Sequence, residues 1–280
     1  MPKIETYVAT ATKKTALALA ATTSPFAIEV RFLGGLTAKQ KDAFKAAADR
    51  WTRVIVGDLP SVMVDGEVID DILITAQGQA IDGPGKILGQ AGPSRLRPAS
   101  AGAAAFLPAK GKMAFDKADL KKMEQDGTLN DVITHEMGHV LGIGTVWELK
   151  GLLTGAGTSN PTFTGAAAKI EFGKLKGTAA TVVPVENTGG PGTADGHWRE
   201  TVFRNELMTG FVGTANNPLS RMTVASLQDL GYVVDFNAAE PYKLPNLLAL
   251  AEGGMLAAPP QSSGIVLPNI PTVLPDDSLQ

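Results

Sequence analysis

The stretch "FAIEVRFLGG", residues 26–35, alternates apolar and polar positions and then meets two glycines. A period of two predicts a half-buried strand closed by a turn. In "LTAKQKDAFKAAADRWTRVIVG" the period changes. Phe44, Ala47, Ala48, Trp51, Val54 and Ile55 recur at helical spacing, behind Thr37 as N-cap. "DDILITAQG" (70–78) reads as a second strand and "GKMAFDK" (111–117) as a shorter third. "LNDVITHEMGHVLG" reads as a helix, with Asn130 or Asp131 as its cap and Ile133, Met137, Val140 and Leu141 as its buried side. The order strand, helix, strand, strand, helix predicts a mixed sheet carrying two helices.

Beyond residue 148 the pattern loosens. "TGAGTSNPTFTG" and "ENTGGPGTADG" are dense in glycine, threonine and asparagine, and residues 149–196 read as long loops or short strands. "PLSRMTVASLQDLGYVVDF" returns to a capped helix. Ser220 leads, Val224, Leu227 and Leu230 follow at helical spacing, and Gly231 ends it. The expected fold class is α+β: a mixed-sheet lobe over about 25–148 and an irregular C-terminal lobe over about 149–240. Residues 1–24 read as an N-terminal arm, since the "TALALAA" after Lys13 and Lys14 is too short and too interrupted by threonine for a signal-peptide core. Residues 241–280 hold seven of the chain's 18 prolines and read as an extended tail, wrapped on the body or mobile.

Composition narrows the chemistry. The chain has 280 residues and a net charge of −3, which gives no electrostatic footprint for nucleic acid or anionic lipid. It contains no cysteine, which excludes disulfides, thiolate ligands and cysteine nucleophiles. No run approaches the roughly 18 apolar residues of a transmembrane helix.

Of three histidines in the chain, two lie in "HEMGHVLGIG", residues 135–144. On a helix, His135 and His139 are one turn apart on one face and can aim imidazoles at one ion. Glu136 sits about 100° further around the axis. It is badly placed to ligate that ion and well placed to take a proton from a water on it. Zinc would lower the pKa of such a water to about 7. The five-residue pattern also recurs by chance, and its bland reading is a helix with two satisfied histidines. Gly138 thins the helix for a close approach, and Gly142 allows a turn at positive φ.

A catalytic zinc usually takes three protein ligands and keeps one open position. In the compact metzincin pattern the third histidine follows the second by about six residues; here that position is Thr145, which is no ligand substitute. The remaining histidine is His197, in "ADGHWRE". The alternative is a carboxylate ligand from a following helix. Glu148 is too near His139, and Glu171, in "KIEFGK", reads as strand or loop.

The segments "HEMGHVLGIGTVW", "GHWRE", "NELMTG" and "NPLSRMTVASLQDLGY" resemble the leishmanolysin family of zinc peptidases, especially its bacterial members. In these metzincins an insertion separates the glycine after the second histidine from the third histidine. The resemblance covers roughly residues 25–240. It implies one catalytic zinc held by His135, His139 and His197, with Glu136 as general base and Met208 in the methionine turn below the metal. The structural alternative for Met208 is an ordinary buried gap-filler.

That resemblance implies a zinc-dependent endopeptidase acting on protein or peptide substrates. The alternatives are a non-catalytic zinc-bearing adhesion module and a zinc hydrolase of non-peptide amides. "GKMAFDK" would be the edge strand that pairs with an extended substrate, or an ordinary edge strand. Tyr232 would stabilise the oxyanion, or be a core tyrosine with its hydroxyl at the surface. Glu186 and Asp195 sit in a loop rich in carbonyls, but no EF-hand spacing supports calcium there. Broad peptidases are usually exported, so an extracellular or secreted protein is expected. The sequence does not fix the oligomeric state.

Overall fold

The first strand lies where the sequence pattern predicts only an arm. In the computed structural model, which describes residues 4–81, 83, 85, 89–210, 215–246 and 270–280, Glu5–Thr10 forms β1 and Lys13–Ala20 forms α1. β1 pairs antiparallel with β2, Ala27–Gly34. Tyr7 ties it to the next helix by donating to Asp49 Oδ1 at 2.7 Å. Its alternation is too short to stand out, and Ala9 alone is buried along it.

α2, Ala38–Val54, begins at Thr37 in a full capping box. Gln40 N–H donates to Thr37 Oγ1, and the Gln40 side chain accepts from Thr37 N–H. That satisfies two of the orphan donors at the helix start. A small hairpin of β3 (Val62–Val64) and β4 (Glu67–Ile69) follows. Then come β5 (Ile72–Gln79), β6 (Gly89–Leu96) and β7 (Pro108–Asp116). The main sheet runs β1-β2-β5-β7-β6-β11, where β11 is Thr272–Val273. β2, β5 and β7 are parallel, while β6 runs antiparallel to β7.

"GKMAFDK" is therefore an interior strand, hydrogen-bonded on both sides, and not the expected edge. The position beside it is taken by β6, "GQAGPSRL", which its glycines and proline hide from an alternation test. Proline is tolerated at a sheet edge because it lacks only the outward donor. β11 pairs with β6 at Arg95 and Leu96 alone. Among the described residues no other strand pairs with the outer side of Gly89–Ser94.

Two helices follow β7. α3, Lys117–Asp126, is capped by Asp116, which accepts from Ala118 N–H, and it ends at Gly127. α4, Leu129–Val140, starts from Thr128, which makes no side-chain cap. The expected caps are both interior. Asp131 instead accepts from Asn216 N–H and from the Asn217 backbone and side chain. α4 is buried from Val132 to Val140, because the sheet, α2 and the segment around Leu207 and Met208 enclose it. A Cβ on Gly111 of β7 would stand 2.3 Å from Val140 Cγ1, so only glycine lets α4 lie this close to the sheet. On α2, Trp51 is fully buried and donates from Nε1 to Thr134 O at 2.9 Å. The fold class is α+β with a mixed main sheet, as the pattern predicts, and metzincin-like, as the resemblance implies.

Residues 149–240 have more structure than their composition suggests. β8 (Leu153–Thr154), β9 (Thr162–Phe163) and β10 (Val183–Pro184) form a small antiparallel sheet. "KIEFGK" is part of a helix, α5 (Ala166–Lys176), contrary to the strand or loop expected. Its glycine misleads: a Cβ on Gly173 would meet Ala179 O at 2.5 Å, so the residue serves close packing. α6 (Glu200–Phe203) and α7 (Arg221–Leu230) follow. α7 has the expected Ser220 cap, with Gly231 at φ 113° closing it. Of the tail, residues 247–269 lie outside the described residues. Residues 270–280 lie on the body, where Leu274 and Leu279 pack against Val62, Val64, Ile69, Leu73 and Ala109.

Candidate metal centre

His135 and His139 project from the same face of α4, and the chain returns through the insertion to deliver His197 between them. The three Nε2 atoms lie 3.2, 3.0 and 2.9 Å apart. The residues are 4%, 4% and 6% exposed. Each Nδ1 faces a backbone carbonyl: Leu207 O at 2.7 Å, Ile143 O at 2.8 Å and Thr193 O at 2.8 Å respectively. A carbonyl only accepts, so each Nδ1 carries the hydrogen and each neutral ring turns its Nε2 lone pair inward. Burial, followed by the neighbouring imidazoles, holds all three rings well below the usual histidine range, at about 3.

Three converging lone pairs repel one another unless a cation lies between them. Nitrogens about 2.0–2.1 Å from one tetrahedral zinc would be about 3.3 Å apart, close to the separations seen. These residues can therefore hold a metal ion, and the carbonyls behind them fix tautomer and ring orientation.

Glu136 completes the picture. It is buried, its Oε1 lies 3.7 Å from His135 Nε2, and its Oε2 has no hydrogen-bond partner. Burial pushes its carboxyl well above the ordinary range. A buried carboxylate oxygen without a donor is costly, and a nearby cation is what would offset that cost.

Met208 lies under the helix. A Cβ on Gly138 would stand 2.8 Å from Met208 Sδ and 3.0 Å from Trp51 Cζ2. The close approach expected at Gly138 is thus between α4 and Met208. Thr145 donates from Oγ1 to His139 O and stays out of the cluster. Gly142 makes the expected turn, at φ 108°.

Other expected candidates lie elsewhere. Glu171 pairs with Lys174 and Arg221 and is not among the converging ligands. Tyr232 is a core residue, but its hydroxyl is buried rather than at the surface, donating to Leu141 O at 2.9 Å. It does not face the histidines as an oxyanion donor would. Glu186 spends its carboxylate on the N–H groups of Asn187, Thr188 and Glu200 and on Thr188 Oγ1. It clasps the loop together. Asp58, Asp70 and Asp71 also cluster. Asp71 there accepts from Ala27 and Leu59 N–H and ties loops together.

The surroundings of His197 leave little trace in the sequence. Trp198 stacks on Trp147 at 4.6 Å and donates from Nε1 to Thr223 Oγ1, anchoring the lobe directly beside His197. Glu206, in "NELMTG", is buried and accepts from Met208 N–H, Ser220 N–H, Ser220 Oγ and Thr223 Oγ1. Its only signal in the sequence is a charged residue set against the apolar pair Leu207 and Met208.

Comparison with known proteins places this geometry. The model of the leishmanolysin peptidase family matches residues 104–249, more than half of the chain, and includes all three histidines, Glu136 and Met208. The chain belongs to the leishmanolysin family. It is also 36% identical over 77 residues to a leishmanolysin-like peptidase of Drosophila pseudoobscura pseudoobscura; that stretch is 27% of this chain and 10% of the relative.

Proposed function

We propose that the protein is a zinc-dependent endopeptidase, with His135, His139 and His197 holding the metal and Glu136 acting as general base. The observation that carries this reading is the unpartnered Glu136 carboxylate beside three inward-facing Nε2 atoms. Family membership supports zinc as the ion and peptides as the substrates. A bound zinc would supply Lewis acidity and a water of lowered pKa. Glu136 accepts the proton of the attacking water and then donates it to the departing amine nitrogen. Met208 fills the space under Gly138 and keeps the floor of the site apolar.

The substrate lies extended, adding its backbone along the outer side of β6 at Gly89–Ser94, with which no other strand among the described residues pairs. Those groups are the ones that edge pairing requires. The adhesion reading leaves Glu136 without a purpose, since burying an unpartnered carboxylate only costs stability. No helix among the described residues is long and apolar enough to cross a membrane. We place the working enzyme outside the cell, where broad peptidases usually act.

The test pairs metal analysis with cleavage of casein and a peptide library. Wild type and Glu136→Ala should each bind about one zinc, with cleavage lost only in the variant. Equal cleavage by the two proteins contradicts the assignment. Cleavage confined to non-peptide amides would redirect it.

A further inference from the structure

Glu206 is 1% exposed, and among the described residues no Lys or Arg forms an ion pair with it. Its carboxylate works in two directions. Oε1 accepts from Ser220 N–H at 3.0 Å, Ser220 Oγ at 2.8 Å and Thr223 Oγ1, all at the start of α7. Oε2 accepts from Met208 N–H at 2.7 Å. Capping α7 does not need this charge, because Ser220 Oγ already accepts from Thr223 N–H. Burial pushes this carboxyl up, while the donors aimed at both its oxygens favour the charged form; a buried anion without a counter-ion is a poor structural cement.

The other end of the same peptide group explains the charge. Met208 N–H and Leu207 C=O belong to one peptide unit. Leu207 O accepts the Nδ1 hydrogen of His135 at 2.7 Å. A continuous line therefore runs from the Glu206 carboxylate through the 207–208 peptide to the His135 ring, whose Nε2 faces the other two imidazoles. A negative charge on the N–H side polarises the peptide and strengthens its carbonyl as an acceptor. A stronger acceptor at Nδ1 makes Nε2 a better electron donor, as carboxylates do when bonded directly to a ligand histidine. His139 and His197 have no such line: their carbonyl partners are Ile143 and Thr193.

We propose that Glu206 is a positioning residue for the metal centre, acting on His135 alone through the Leu207–Met208 peptide. This rests on the reading of the three histidines as a metal site, and it does not require that the protein cleave peptides.

The test uses the full chain with Glu206→Gln, which keeps size and removes charge, and Ser220→Ala, which loosens the α7 side and keeps the charge. Zinc affinity is measured by competition with a chromophoric chelator. The ring nitrogens are followed by NMR, where three histidines give a simple spectrum. Glu206→Gln should weaken zinc binding about ten- to hundredfold. It should shift the His135 Nδ1 resonances with and without zinc, leaving those of His139 and His197 in place. Ser220→Ala should lower the melting temperature and leave zinc affinity within about twofold; a fall of about tenfold or more in this variant, which keeps the charge, overturns the proposal whether or not the glutamine variant folds. Unchanged affinity and an unmoved His135 signal in Glu206→Gln overturn the proposal, as does affinity that simply follows melting temperature across both variants. Wild-type protein that binds zinc but cleaves nothing would sink the peptidase reading alone; wild type that binds no zinc would sink both.

Discussion

Gly144 and Gly196 touch through their backbones. A Cβ on Gly144 would stand 2.0 Å from Gly196 O, and Gly144 has φ 76°. The two residues are far apart in sequence, yet Gly196 directly precedes His197, as Gly144 precedes Thr145. The insertion leaves the site at one glycine and re-enters at the other. His197 thereby reaches the centre that Thr145, next to Gly144, does not enter. Gly144→Ala should disrupt this join, by collision with backbone and by strain at positive φ. We expect a loss of about 2 kcal/mol or more in stability and a clear fall in zinc uptake. A Cβ on Gly196 meets nothing closer than 4.0 Å, so Gly196→Ala should be mild. Thermal melting and metal content of the two variants check this, and equal effects would refute the asymmetry.

Gly138→Ala tests the floor of the site. The added methyl would press on Met208 Sδ and Trp51 Cζ2. Overpacking of this kind costs about 1–3 kcal/mol. Met208→Ala in the same chain opens the needed space, so the double variant should recover part of the loss. A denaturant-unfolding cycle gives the coupling, and simple additivity would argue against direct contact.

Glu200 supplies a pH dependence separate from the histidines. It is buried, and its Oε2 has no partner; burial pushes its carboxyl up to about 7. The folded state thus binds this proton more tightly than the unfolded chain. Its stabilising contribution is complete below the ordinary glutamate pKa and is lost as pH rises through about 7. Glu200→Gln removes the penalty. It should stabilise the protein by about 1–2 kcal/mol at pH 8 and have little effect at pH 4. An equal effect at both values would contradict the raised pKa.

Residues 270–280 should contribute to stability, since Leu274 and Leu279 cover a second apolar cluster and β11 pairs with β6. A chain ending at residue 269 should lose about 2 kcal/mol, the scale for two half-buried leucines. Unchanged melting would show that the tail adds nothing.

The helix bearing His135 and His139 was legible because a four-residue spacing places both rings on one face. His197 was legible because histidine is so scarce in this chain. The strands β2 and β5 announce themselves by alternation; β6 does not, because Gly92 and Pro93 break its pattern while suiting an edge. α5 was hidden by Gly173, whose role depends on Ala179 in a neighbouring turn. Thr128 as the start of α4 is hidden because Asp131 resembles a cap and is used instead to hold Asn216 and Asn217. Glu206 lay beyond reach for the same reason: its meaning depends on Ser220, Thr223 and a peptide group, contacts made only after folding.

The converging rings call for one metal ion held by three imidazoles and no other side chain. X-ray absorption at the zinc edge of the loaded full chain measures this directly. We predict three nitrogen neighbours with the multiple-scattering signature of imidazole at about 2.0–2.1 Å, and one further light-atom neighbour. Only two imidazoles in the coordination shell, or a carboxylate in place of His197, would contradict the account.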